Sequence, residues 1–521
     1  MSDMVNVTID GVAVAVPKGT TIIEAAKQAG VLVPHYCYHP SLPSPGVCRM
    51  CLVDVEKAPK LMPACVTTVA EGNVINVNNE KSKKARESVL EFLLINHPLD
   101  CPICDQAGEC ELQDYVFQEG RAETRYADYA KRFNPVEDFG PDILYVPNRC
   151  ILCTRCVRFM ESVADEPVLN VSERGDRAYI GIDPDHQLTH PWSGNVVDLC
   201  PVGSLISKDF LHKARAWDLD KTASICPGCT QGCNIMIDTR DDIVVRLRPR
   251  PNLDVNRHFI CDTGRADYRW LNRGDRIEQP RHSALGAQGS ALGWDEALAA
   301  LAGLVGGAKN VVILASGRAS TESLGFVRRM VEGSRVVAAI KIPIGAEAPL
   351  AGIPNLALRA ERVPNLHGAR LAGYSASWTE AVAASRAADL TIILDAELDD
   401  ADVAALGANT VVIGTIDDDR LQGATLLLPT TNMAEENGTY VNRDHRVQRY
   451  FQAKPAPGMA RPAWWIAAEA IQIASGLSSP QTAAEAFAAL GSSVPELAGL
   501  CYADLGHTGR VISPATAGAA R

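Results

Sequence analysis

The sequence predicts a multidomain chain of mixed α/β and α+β class, in which small cysteine-bearing modules precede a larger parallel α/β domain. Three observations predict it. Fifteen of the sixteen cysteines stand at or before Cys261. Strand, turn and helix signals alternate between them. From about Ser283, alanine and aliphatic residues dominate, and apolar strand runs alternate with helical stretches. At 521 residues the chain is long enough for several domains. Its 47% hydrophobic and 21% charged residues exclude a disordered, collagen-like or integral-membrane chain. No uncharged apolar run reaches the ~18 residues of a spanning helix. The net charge of −12 gives no reason to expect nucleic acid or an anionic membrane surface as partner.

Residues 1–80 read as a small β-rich domain. Val5 to Ile9 alternates like a strand, Asp10-Gly11 is a tight hairpin turn, and Val12 to Val16 returns. Thr21-x-x-Glu24 reads as a capping box, opening a helix that Gly30 ends. Residues 81–96 read as a helix with Val89, Phe92, Leu93 and Ile95 on its apolar face, stopped by His97-Pro98. Cysteine-bearing segments follow at 81–120, 140–215 and 220–275. Residues 276–521 form the larger domain, with a boundary near 275–290. Asn310–Leu314, Leu390–Leu394 and Thr410–Ile413 read as buried strands, and a helix is expected over 320–332. The last ten or so residues read as frayed. The start, Met1-Ser2-Asp3-Met4, has neither a signal-peptide nor a transit-peptide pattern. A reducing cytosol is therefore expected, where thiols bind metals more often than they form disulfides.

The cysteines fall into four sets. Cys37, Cys48, Cys51 and Cys65 place two thiols on one Cys-x2-Cys turn and two on loop ends, as a 2Fe–2S group needs, with Gly46 allowing a close backbone approach. Ten residues separate the first two cysteines, against four in the plant-type pattern, and a structural zinc site also takes four cysteines. His97, Cys101, Cys104 and Cys110 form a second set, with Gly108 in its loop. An imidazole in place of a thiolate would raise the potential of a 4Fe–4S group, but one His with three Cys is equally a zinc composition. Cys150, Cys153 and Cys156, with Cys200-Pro201 downstream, are the most specific signal: three tight cysteines plus a Cys-Pro is 4Fe–4S ferredoxin vocabulary. Arg149, Arg155 and Arg158 flank the triplet and either offset cluster charge or are ordinary surface arginines. Cys226, Cys229, Cys233 and Cys261 make the fourth set, with strands at Ile235–Ile237 and Ile243–Arg246 expected to form a hairpin. Cys501 reads as a small buried hydrophobe.

The order of these sets resembles the large iron–sulfur subunit family of respiratory complex I, NADH:quinone oxidoreductase. The resemblance rests on His35-Tyr36-Cys37, Gly46-Val47-Cys48-Arg49-Met50-Cys51, the run Cys101 to Cys110 and Cys200-Pro201-Val202-Gly203, and it covers at least residues 1–275. It implies an N-terminal 2Fe–2S ferredoxin-like (β-grasp) domain, 4Fe–4S ferredoxin-like modules and one 2Fe–2S plus three 4Fe–4S clusters, with His97 a ligand. The fourth set resembles the 4Fe–4S domain of molybdopterin oxidoreductases. The second half resembles a shortened molybdopterin-oxidoreductase α/β domain, through Ala315-Ser316-Gly317-Arg318 and Ala434 to Asn442. Thr263 stands where active relatives often carry Lys, and no cysteine lies between Cys261 and Cys501, so no molybdopterin is expected.

The resemblance implies an electron-relay subunit with no catalytic residue of its own. No G-x-G-x-x-G or P-loop is present, so NADH and quinone sites are expected on partners. Electrons would arrive from the NADH-oxidising flavoprotein subunit at the Cys37 set. They would pass to the Cys150 set and the His97 set, and leave for other peripheral-arm subunits. The Cys226 set would lie off that route and points to a bacterial complex, since mitochondrial relatives generally lack it. The expected location is the cytoplasmic side of the bacterial inner membrane, peripheral and without direct insertion. The alternatives are the iron–sulfur part of an NAD-linked formate dehydrogenase or hydrogenase, and a zinc-stapled scaffold.

Overall fold

Val5, Val7 and Ile9 point inward, and Asp10 (φ 45°) and Gly11 (φ 84°) reverse the chain. Met4–Ile9 therefore pairs antiparallel with Val12–Pro17. Val74–Asn76 adds parallel to the first strand, and Leu52–Val55 and Met62–Pro63 complete a five-stranded sheet. The helix Ile22–Gln28 buries Ile22, Ile23, Ala25 and Ala26 against it. The expected ferredoxin-like frame is present in this computed structural model, which describes residues 3–127, 131, 133–282 and 290–512. The capping box does not form. Thr21 makes no side-chain cap, because the Glu24 carboxylate accepts from the Tyr38 hydroxyl and ties the helix to the loop that follows Cys37.

Asn79 caps the helix Glu80–Asn96, accepting from the Ser82 amide at 2.9 Å. Its buried face is Ser82, Arg86 and Leu90, spaced by four, while Phe92 is 75% exposed. The expected apolar stripe is thus displaced. Arg86 is accommodated inside because Glu119 pairs with it at 3.0 Å and the Val77 carbonyl accepts from it at 2.8 Å. The chain then turns through Cys101–Ile103 into the helix Glu111–Glu119. A three-stranded sheet (Glu137–Asp138, Ile143–Tyr145, Leu205–Ser207), the helix Arg155–Ser162 and the hairpin Leu169–Ser172/Tyr179–Ile182 carry the next cysteines.

Contacts divide the chain into two units, Met1–Leu219 with Leu350–Pro354, and Asp220–Pro349 with Asn355–Arg521. The Cys226 segment thus packs with the C-terminal half. The boundary expected near 275–290 runs through 283–289, which lie outside the described residues, as do 513–521, where fraying is expected. In the second unit Asp220–Ile225, Asn234–Arg240 and Ile243–Pro249 form an antiparallel sheet. Asp241 and Asp242, both left-handed, make the expected hairpin. The main sheet runs Arg335–Lys341, Asn310–Ser316, Leu390–Leu394, Thr410–Gly414, Leu426–Pro429, all parallel. Two short antiparallel strands, Arg281–His282 and Ser290–Ala291, continue the edge. Val311 and Ile313 face one apolar cluster, and Val312 and Leu314 face another, as a sheet buried on both faces requires. The expected helix is Thr321–Met330, capped by Ser320.

Candidate iron–sulfur centres

The four thiols of the first set converge. Hydrogen bonding with Cys48 and Cys65 holds the Cys37 thiol below its ordinary range, and Cys65 likewise lowers Cys51. The Cys37 amide reaches Cys48 Sγ at 3.4 Å. Three of the four are buried and Cys48 is half-buried. Left-handed Gly46 and Arg49 (φ 63° and 59°) bend the loop around them.

In the second set His97 ends its helix, and burial lowers its ring to about 4, so it is neutral at physiological pH. Its Nδ1 is buried with no hydrogen-bond partner among the described residues. A neutral imidazole with an unused nitrogen is what a metal ligand needs. Arg149 acts on both His97 and Cys104. Burial pushes Cys110 up to about 11, and Cys101 and Cys104 add to that shift. Cys101 is exposed. A Cβ at left-handed Gly108 would meet Trp217 at 3.0 Å.

The third set lines one cavity, with Cys150, Cys153, Cys156 and Cys200 around it and Tyr145, Ile180 and Val202 in its walls. Burial raises Cys150 to about 11 and Cys153 to about 12, and raises Cys156 and Cys200 as well. Buried thiols in this state shed protons only when a cation repays the charge, so metal uptake here releases protons. Leu152 and Thr154 are both left-handed, which curls the backbone about Cys153.

The fourth set caps a hairpin. The Cys226 amide donates to the Cys233 carbonyl at 2.8 Å, closing the loop between two strands. Cys261 caps the next helix and accepts from the Gly264 amide at 3.3 Å. A Cβ at Gly264 would stand 2.9 Å from Cys226 Sγ and 3.3 Å from Cys261 Sγ, so only glycine lets the backbone pass. All four thiols are buried, and burial raises each of them.

Among the described residues no group of three or more His, Cys, Asp or Glu side chains is arranged around a single metal-ion position. The cavity-lining arrangement of the third set suits a polynuclear core. Cys501 belongs to none of the sets and is exposed, not buried as expected, because it sits at the start of the short helix Tyr502–Leu505, its amide held by Asp504 at 2.8 Å.

The first three sets are laced together by the three arginines whose role the sequence left open, and all three are buried. Arg158 Nη2 donates to the Cys37 carbonyl at 2.6 Å and to the Cys153 carbonyl at 3.2 Å. Arg155 donates to the carbonyls of Tyr38 and Leu199 and pairs with Glu111 at 3.0 Å. Arg149 pairs with Asp100 at 2.8 Å. The Glu111 amide donates to the Pro201 carbonyl at 3.0 Å, and a Cβ at Gly203 would lie 2.2 Å from Cys104 Sγ. The loop after Cys200 therefore presses directly on the second set.

The domain families agree with this layout. Residues 2–80 match a 2Fe-2S iron-sulfur cluster binding domain, and 86–125 the NADH-ubiquinone oxidoreductase-G iron-sulfur binding region. Residues 140–206 match the ferredoxin-like domain of NADH-quinone oxidoreductase subunit 3, 219–273 the molybdopterin oxidoreductase Fe4S4 domain, and 321–472 molybdopterin oxidoreductase. The G-subunit of NADH-quinone oxidoreductase from Rickettsia bellii is 41% identical over 63% of this chain and 48% of its own length. The mitochondrial NADH dehydrogenase [ubiquinone] iron-sulfur protein 1 of Solanum tuberosum is 44% identical over 58% of this chain and 40% of its own. The chain thus spans about half the length of the curated relatives it matches. A solved NAD+-reducing [NiFe]-hydrogenase covers 40% of this chain and 90% of its own at 26% identity, with a TM-score of 0.37, too loose a likeness to bear on function.

Sequence reasoning missed the tyrosines beside the thiols. Tyr145 hydrogen-bonds to Cys150, and the buried Tyr36 hydroxyl, near Cys48 and Cys110, has no partner among the described residues. The adjacency of Tyr36 to Cys37 was the available signal.

Proposed function

We propose that this chain is the electron-relay iron–sulfur subunit of an NADH:quinone oxidoreductase. Cys37, Cys48, Cys51 and Cys65 hold a 2Fe–2S group. His97, Cys101, Cys104 and Cys110 hold one 4Fe–4S group, Cys150, Cys153, Cys156 and Cys200 a second, and Cys226, Cys229, Cys233 and Cys261 a third. When bound, such groups supply reversible one-electron chemistry. The residues of the chain supply burial, thiolates, one neutral imidazole and fixed loop spacing. One observation carries the reading: the loops of the Cys150 set are hydrogen-bonded to the Cys37 loop on one side and pressed against the Cys104 loop on the other. That adjacency supports the order Cys37 set, Cys150 set, His97 set.

The Cys226 set belongs to the other unit and is read as lying off the route. No molybdopterin is assigned. The second unit has a cavity of about 700 Å³ at the carboxyl ends of its parallel strands, where such sheets bind ligands. Its lining carries seven carboxylates, among them Asp395 and Asp417, against five basic residues, Arg273, Arg318, Lys341, Arg362 and Arg420. A phosphate-bearing pterin does not fit that charge balance. Among the described residues no helix is long and apolar enough to cross a membrane. Attachment to the cytoplasmic face of a bacterial inner membrane is therefore assigned to partner subunits, as are the NADH and quinone sites.

The test is the full chain in its complex with a flavoprotein subunit, prepared anaerobically. NADH is expected to reduce EPR-visible iron–sulfur signals that quinone reoxidises. Reduction by formate or hydrogen but not by NADH would overturn the assignment.

A further inference from the structure

We propose that Arg158 is a positioning residue shared by two centres: its single guanidinium fixes the Cys37 loop against the Cys153 loop and raises the potential of both groups held there. The inference rests on the reading that these two sets hold iron–sulfur groups.

Arg158 lies on the helix Arg155–Ser162 and is 9% exposed. Besides the carbonyls of Cys37 and Cys153, it donates to the Pro43 carbonyl at 2.5 Å and to Thr154 Oγ1 at 3.3 Å. Every acceptor is neutral. Arg149 has Asp100 and Arg155 has Glu111, but among the described residues no carboxylate pairs with Arg158. A buried cation without a counter-charge is strongly unfavourable. A four-thiolate iron–sulfur group is a net anion, and the two backbone carbonyls that Arg158 holds through one nitrogen belong to ligands of two different sets. Placed between them, the guanidinium meets negative charge on both sides. A fixed positive charge favours the reduced, more negative state of each group, so it raises both potentials. A planar guanidinium can serve these acceptors at once, whereas an ammonium is a point charge.

The experiment uses the full chain in its complex, with EPR redox titration of the two signals, assigned by their loss in Cys51→Ala and Cys153→Ala chains. Arg158→Gln is expected to shift both midpoints downward while the Cys226-set signal stays in place. Midpoints that do not move, or only one that moves, would overturn the proposal. Should Arg158→Gln load too little iron to titrate, Arg158→Lys decides. Midpoints near those of the unaltered chain with a changed magnetic interaction between the two reduced groups are expected; an unchanged interaction overturns it. An unaltered chain without iron and sulfide would instead refute the underlying cluster reading.

Discussion

The two units treat buried charge in opposite ways. In the first, the buried charges near the thiols are mostly cations, Arg149, Arg155 and Arg158 beside the one carboxylate Asp105, and each arginine reaches from one thiol loop to another. In the second, deeply buried charge is largely carboxylate, with Glu322, Glu435 and Glu436 inside the α/β portion. Close to the Cys226 set, Arg359 is paired with Glu347 at 2.6 Å. The relay proposed above would need several anionic groups close together, and buried guanidiniums make that tolerable.

The largest expected contrast is between one ligand from each unit. Cys153→Ala should abolish one 4Fe–4S EPR signal and stop NADH-to-quinone transfer in the assembled complex. Cys229→Ala should leave most transfer intact and weaken assembly. Loss of transfer in a fully assembled Cys229→Ala complex would erase the difference between the units.

Next come the buried pairs. Asp100→Asn leaves Arg149 without its counter-charge and should cost about 3 kcal/mol in a denaturant titration. Glu347→Gln removes a half-exposed partner and should cost about 0.5 kcal/mol.

Titration should separate the units as well. Burial raises Glu322 to about 7 and Glu436 to about 8, and their acceptor oxygens are hydrogen-bonded by Tyr502 and Tyr450. A carboxyl raised in the folded state favours folding while it is neutral. That contribution is complete below the ordinary carboxylate range and is lost as pH rises through 7 to 8. The second unit should therefore lose on the order of 3 kcal/mol per group between pH 5 and 9. Glu322→Gln should flatten the profile, as read by melting temperature against pH.

The smallest effect is expected at His97. His97→Cys exchanges a neutral ligand for an anionic one and should lower the midpoint of that group alone. No shift in a redox titration would remove His97 from the ligand set.

Much of this organisation was legible in the sequence, and the physics explains what was not. Thiol spacing is local, so Cys150-x2-Cys153-x2-Cys156 and Cys226-x2-Cys229-x3-Cys233 stood out, and the first hairpin followed from alternation around Asp10-Gly11. The role of Arg158 was not legible, because its partners Cys37 and Pro43 lie more than a hundred residues away. The same limit applies to the helix Glu80–Asn96, where distant Glu119 turns Arg86 inward and apolar Phe92 stays outside. The exposure of Cys501 was not legible either, because residue type alone says nothing of its place at an exposed helix start.

The most direct measurement is an iron and acid-labile sulfide count on the anaerobically purified full chain, with EPR of the reduced protein. The account predicts about fourteen iron atoms and as many sulfides per chain, from one two-iron and three four-iron groups. Zinc without sulfide, or protein without iron from a host competent to build these groups, would contradict it.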